Sequence, residues 1–155
     1  MKNIMRYPGF VFFLLLANVS LAQTDAARKS NFNVSKNIAI EGYDPVSYFD
    51  SKPLEGDKKF QFTYRGIIYL FANEPNLNKF KATPEKYEPV YGGWCAYAMG
   101  EKGEKVEVDP ETFKILDGRL YLFYNSWGNN TLTKWNKNEK TLKMQGDQNW
   151  KKFVP

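Results

Sequence analysis

The sequence predicts an α+β domain. Two small antiparallel β-hairpins and short helices pack around a central Tyr-Gly-Gly-Trp-Cys segment, and further helices lie toward the C-terminal end. Three patterns carry this expectation. Lys59 to Tyr64 alternates, with Phe60, Phe62 and Tyr64 set against Gln61 and Thr63, which is the period of a half-buried strand. Asp117-Gly118 separates the apolar runs Phe113–Leu116 and Leu120–Phe123, and Asp-Gly between such runs is the strongest short hairpin signal. Asn73 with Pro75, and Thr83 with Pro84, place a capping side chain just ahead of a proline, a pairing that suits a helix start.

Taken in order, residues 1–22 read as an export signal. Lys2 and Arg6 precede the apolar run Phe10–Leu16, and Ser20-Leu21-Ala22 offers small residues at the cleavage positions. The run is short of the ~20 apolar residues that a spanning helix needs. An uncleaved anchor is the competing reading, and no cysteine follows the site to carry a lipid. Periplasmic or secreted placement, without stable membrane insertion after cleavage, follows as the expectation. Residues 23–37 are polar and read as a flexible leader. The domain proper is expected over 38–155.

Gly42-Tyr43-Asp44-Pro45 opens that domain, with Asp44 capping a short turn that sends Tyr48 and Phe49 inward. Arg65-Gly66 turns the first hairpin, and Ile67–Phe71 returns as its β-branched and aromatic second strand. A helix capped by Asn73 presents Leu77 and Phe80 on one face. Gly100–Val108 is a charged loop, and Asp109-Pro110 starts a turn before the second hairpin. Asn125 or Ser126 is expected to cap a helix reaching Trp135. A last helix over 138–153 would align Leu142, Gly146, Trp150 and Phe153, although Gly146 weakens it by ~1 kcal/mol against alanine. Gly66–Asn73 and Gly118–Asn125 echo each other, as two strand-then-cap units can through shared physics alone.

Composition excludes several chemistries. The chain carries 22 Lys+Arg against 17 Asp+Glu, and residues 1–22 hold only Lys2 and Arg6, which leaves +3 on the remainder. That surplus is spread out, whereas nucleic acid would call for a clustered patch. There is no histidine, so His-based triads, His metal sites and the usual neutral-pH proton shuttle are absent. The single cysteine, Cys95, cannot form an internal disulfide.

Cys95 lies in the richest stretch of the chain, Tyr87–Met99, which also holds Gly92-Gly93, Trp94, Tyr91 and Tyr97. Gly92 and Gly93 could admit a ligand to the backbone against an aromatic wall of Tyr91, Trp94 and Tyr97, with Tyr43, Asp44 or Tyr121 adding polar points. The competing reading makes these residues turn and core. Cys95 and Met99, four apart, would present two soft sulfurs on one side of a helical turn, a pair suited to copper. Burial as apolar filler is the alternative there. A reactive thiol at Cys95 would need a lowering partner, and only Glu101 and Lys102 are close in sequence. Asp44, Asp109 and Asp117 each adjoin proline or glycine and read as turn residues.

With these blocks in place, the chain resembles YHS-domain proteins of the small exported type over about Ile40 to Trp150. The resemblance rests on Gly42-Tyr43-Asp44-Pro45-Val46, on Tyr69-Leu70-Phe71 through Phe80 to Pro84-Glu85-Lys86-Tyr87, on Tyr91-Gly92-Gly93-Trp94-Cys95-Ala96, and on Asp117–Leu122. It implies a metal-handling scaffold, since members occur beside copper-transporting ATPases and in some hydroxylases. It also implies metal ligands at three positions, where this chain has Ser47, Ala72 and Asn76. Alanine has no donor, and neutral serine and asparagine are poor ligands for transition metals. The expected function is an exported binding module for a small molecule or metal ion, monomeric or weakly dimeric, without the usual Cys/His ligands. Copper handling through Cys95 and Met99 is the second reading, and a thiol-dependent enzyme the third.

Overall fold

The computed structural model describes residues 25–154. The expected export signal over residues 1–22 therefore lies outside the described residues. The architecture is α+β, as the patterning predicts. Helix α1 occupies 25–31, and the short strands β1 (Val34–Ser35) and β2 (Ile38–Ala39) follow. The first predicted hairpin is β3 (Asp57–Tyr64) and β4 (Ile67–Phe71). These four strands form one sheet in the order β1-β2-β4-β3, in which β2 runs parallel to β4 through Ile38 and Ile68. The parallel neighbour joins the expected hairpin at its inner edge. Strand β4 is thereby central, which suits its nearly continuous burial at Ile67, Tyr69, Leu70 and Phe71.

Helix α2 (Glu74–Ala82) begins where Asn73 accepts the backbone N–H of Asn76 at 2.9 Å, a cap that contributes about 1 kcal/mol. It lays the fully buried Phe80 against Tyr69 and Phe71, with ring centroids 4.7 and 5.2 Å away. Helix α3 (Pro84–Tyr87) follows directly, and Val90–Gly93 makes one further tight turn before α4 (Ala96–Glu101). The second hairpin is β5 (Asp109–Leu116) and β6 (Arg119–Phe123). Asp109-Pro110, expected to start a turn, instead begins β5, and a bulge separates Asp109 from Phe113. A parallel bridge from Pro89 to Leu120 ties the central segment to β6.

Strand β6 has two apolar faces. Leu120 and Leu122 enter one core cluster with Phe71, Phe80 and Cys95, while Tyr121 and Phe123 enter a second with Tyr91, Met99 and Trp135. That division is the two-residue period of a strand, and it places β6 between the two halves of the core.

Three expectations are corrected. Residues 25–37 are not a loose leader, because Arg28 and Phe32 are buried, 5% and 8% exposed, and Phe32 belongs to the first core cluster. One aromatic ring and the stem of one arginine supply the apolar surface that the polar composition conceals. Asn125 and Ser126 cap no helix. They form β7, which pairs with β8 (Asn129–Asn130) across Trp127-Gly128. Asn130 is the true cap, accepting from Leu132 N–H at 3.0 Å to start α5 (Thr131–Trp135). The last helix, α6, runs Glu139–Trp150, shorter at its end than 153.

Candidate functional site

Asp44 is fully buried, and its carboxylate is enclosed by donors. Oδ1 accepts Val46 N–H at 2.8 Å, while Oδ2 accepts Ala72 N–H at 3.0 Å and the Asn76 amide at 2.6 Å. Ser47 donates its hydroxyl to the Asp44 carbonyl at 2.7 Å and accepts Leu54 N–H at 3.0 Å. The three positions at which the resemblance implies metal ligands therefore meet around one residue, Asp44: Ala72 and Asn76 at its carboxylate and Ser47 at its backbone carbonyl. They meet it as a finished hydrogen-bond network, and side-chain atoms of the right type for a soft metal are not among them. The residues present do not fit a transition-metal centre.

The Gly92-Gly93-Trp94 segment meets the N-terminal part of the chain. Asn33 donates its N–H to Gly92 O at 2.9 Å and its side-chain amide to Gly93 O at 3.2 Å. Trp94 Nε1 donates to Asn31 O at 2.6 Å. A Cβ at Gly92 would lie 2.8 Å from the Trp150 ring and 2.9 Å from that of Phe32, and the residue has φ of +61°. Both facts require glycine. What these glycines admit is the chain's own residues 31–33.

Beside that seam an open cleft of about 430 Å³ runs between α1 and α6, lined by Arg28, Phe32, Glu88, Val90, Tyr91, Gly92, Arg119, Asp147, Trp150 and Lys151. Its floor is ionic. Arg28 and Glu88 form a salt bridge with side chains only 6% and 11% exposed, and the Tyr69 hydroxyl donates to the same carboxylate oxygen. The Arg28 guanidinium also lies 4.3 Å from the Phe32 ring centroid, a favourable cation–π placement. Breaking a pair this buried costs about 3–5 kcal/mol, because the remaining charge is stranded. Tyr91 is buried, and its hydroxyl donates to Asp147 at 2.9 Å. Burial first, and the Asp147 charge second, hold its phenol well above the usual range.

Cys95 lies elsewhere, at the base of a recess of about 310 Å³ that Tyr97, Glu101, Lys102, Tyr124, Thr131 and Lys134 also line. The residue is 1% exposed. Its sulfur accepts Tyr124 N–H at 3.4 Å and lies 3.4 Å from Thr131 Oγ1. Thr131 already donates to Tyr124 O at 2.8 Å, so the thiol is the donor in the sulfur–oxygen contact. Cys95 and Met99 enter different core clusters, although four residues separate them. Tyr97 donates its hydroxyl to Glu101 at the recess edge, and this hydrogen bond, ahead of burial, raises its pKa.

No protein-family model, curated protein or solved structure matches the chain. The ten residues predicted as one site separate into distinct places. Asp44 is locked beside Ala72 and Asn76, while Tyr43 reaches Glu111 at 3.3 Å on the exposed side of β5. Gly93 and Trp94 hold residues 31–33, and Cys95 and Tyr97 share the recess. Tyr91 and Gly92 line the α1–α6 cleft, with Tyr121 packed edge-on behind Tyr91 at 5.9 Å. Met99 is fully buried. Sequence reasoning missed Arg28, Phe32, Glu88, Arg119 and Lys151. An arginine four residues before a lone phenylalanine in a polar run was the available signal, since that spacing makes a one-turn apolar face.

Proposed function

We propose that the chain is an exported binding module on the YHS plan, whose ligand is a small molecule held in the α1–α6 cleft. The observation that carries this reading is the cleft itself. The buried Arg28–Glu88 pair, whose carboxylate also holds the Tyr69 hydroxyl, lines the cleft together with Phe32, Tyr91 and Trp150, and apolar walls with a few fixed polar groups are the usual makeup of a ligand site. The YHS resemblance is supported by the meeting of positions 47, 72 and 76 around Asp44, as a shared ligand set would demand. At that place the protein's own hydrogen bonds stand where a metal would bind.

Two measurements on protein purified from its export compartment test this. Trp150 lies in the cleft, so its fluorescence should change saturably with some members of a panel of small organic molecules. Filling the cleft by Val90→Trp should abolish that change. Elemental analysis should return far less than one equivalent of copper or zinc. A full equivalent of copper, retained through dialysis and lost in Cys95→Ala, would replace the reading with soft-metal handling at Cys95. A flat response across the panel would remove the cleft as the site.

A further inference from the structure

The charges around the α1–α6 cleft narrow its ligand to one class, an inference that rests on the reading of the cleft as the binding site. Both carboxylates there are already matched. Glu88 receives Arg28 and Tyr69, both on one oxygen. Asp147 receives Tyr91 at 2.9 Å on one oxygen and Lys143 at 3.2 Å on the other. Three cations line the cleft, and Arg28 is the one consumed in its floor. The other two, Arg119 at the start of β6 and Lys151 just past α6, are exposed and enter no salt bridge among the described residues. Two positive charges outside any salt bridge, of which Arg119 also lies in the field of Glu85, thus border a cleft whose apolar lining includes Phe32, Pro89, Val90 and Trp150.

We infer that the cleft takes a small amphiphilic anion, with one carboxylate, sulfonate or phosphate head and a flat or short apolar body. The head is held by Arg119 and Lys151, and the body lies against Trp150, Phe32 and Val90. Arg119 suits the task, because its planar fork matches a carboxylate or phosphate with two parallel hydrogen bonds. The paired floor adds selectivity. A ligand presenting a buried cation would meet no free carboxylate, whereas an apolar body meets rings and aliphatic side chains that cost little to desolvate.

Two fluorescent probes of nearly identical shape separate charge from apolar contact. 8-Anilinonaphthalene-1-sulfonate carries the anionic head, and N-phenyl-1-naphthylamine carries the same rings without it. The sulfonate should bind saturably, with energy transfer from Trp150, and weaken as salt is raised. Arg119→Ala combined with Lys151→Ala should weaken sulfonate binding by about tenfold or more and leave the neutral amine unchanged. Both residues are exposed, so an unaltered thermal melt of the double variant checks that the fold is kept. Equal affinity for the two probes, insensitive to the double variant, would overturn the anion class while leaving the cleft as a site for neutral apolar molecules. Binding of both probes that survives Val90→Trp would place them elsewhere and overturn the cleft reading together with this inference.

Discussion

Gly146 sits in the interior of α6, where helix propensity alone favours alanine by about 1 kcal/mol. Packing reverses that preference. A Cβ at Gly146 would fall 2.6 Å from the Tyr91 hydroxyl oxygen and 2.8 Å from its Cζ, and Tyr91 is buried with its hydroxyl tied to Asp147 and Lys143 O. Overpacking of this kind costs about 1–3 kcal/mol. Gly146→Ala should therefore lower stability in urea by up to about 2 kcal/mol net, and in a Tyr91→Ala background the same change should raise it. Stabilisation in both backgrounds would show that the ring yields freely. The sequence marks Gly146 as a weak point in a helix but cannot name the side chain that requires it, because Tyr91 lies 55 positions away. Cys95 is a similar case. Its lone occurrence draws attention, yet its sulfur is spent on Tyr124 N–H and Thr131, and such partners become visible only when β6 and α5 are in place.

Three hairpins close through a residue followed by glycine, both at positive φ: Arg65-Gly66 at 45° and 82°, Asp117-Gly118 at 52° and 69°, and Trp127-Gly128 at 53° and 74°. Two-residue turns of this kind match the strand twist. The first two are legible in the sequence, since each lies between clear apolar runs. The third is not, because its strands are Asn125–Ser126 and Asn129–Asn130, which bury no apolar face, and because tryptophan is a poor turn residue. Trp127 nevertheless sits at that tip, 98% exposed and in the left-handed region, where a bulky side chain is strained. Replacing it by asparagine should stabilise the protein by about 0.5–1 kcal/mol, read as an upward shift in thermal midpoint. A fall would mean that the indole makes a stabilising contact despite its exposure. The docking of α1 was hidden for a related reason, since its hold depends on Gly92, Gly93 and Trp94, about sixty residues away.

Across the whole molecule, buried tyrosines couple stability to alkaline pH. Burial, before any neighbouring charge, raises the phenol pKa values of Tyr48, Tyr69 and Tyr91. A folded-state pKa above the unfolded one gives stability that is complete below the unfolded value, near about 10, and drains away as pH climbs past it. The thermal midpoint should hold up to about pH 10 and then drop steeply, with tyrosinate absorbance appearing together with unfolding. Tyr48→Phe should make the drop shallower. A midpoint unchanged well beyond that pH would contradict the burial on which the core rests. The same core also governs strand alignment. In most sheets a slip by one residue is punished because it drives greasy groups into water. Strand β6, with leucines on one side and a tyrosine and a phenylalanine on the other, would stay dry after such a slip, so its alignment is policed by volume: rings would have to crowd into spaces shaped for branched chains, and voids would open where the rings had been.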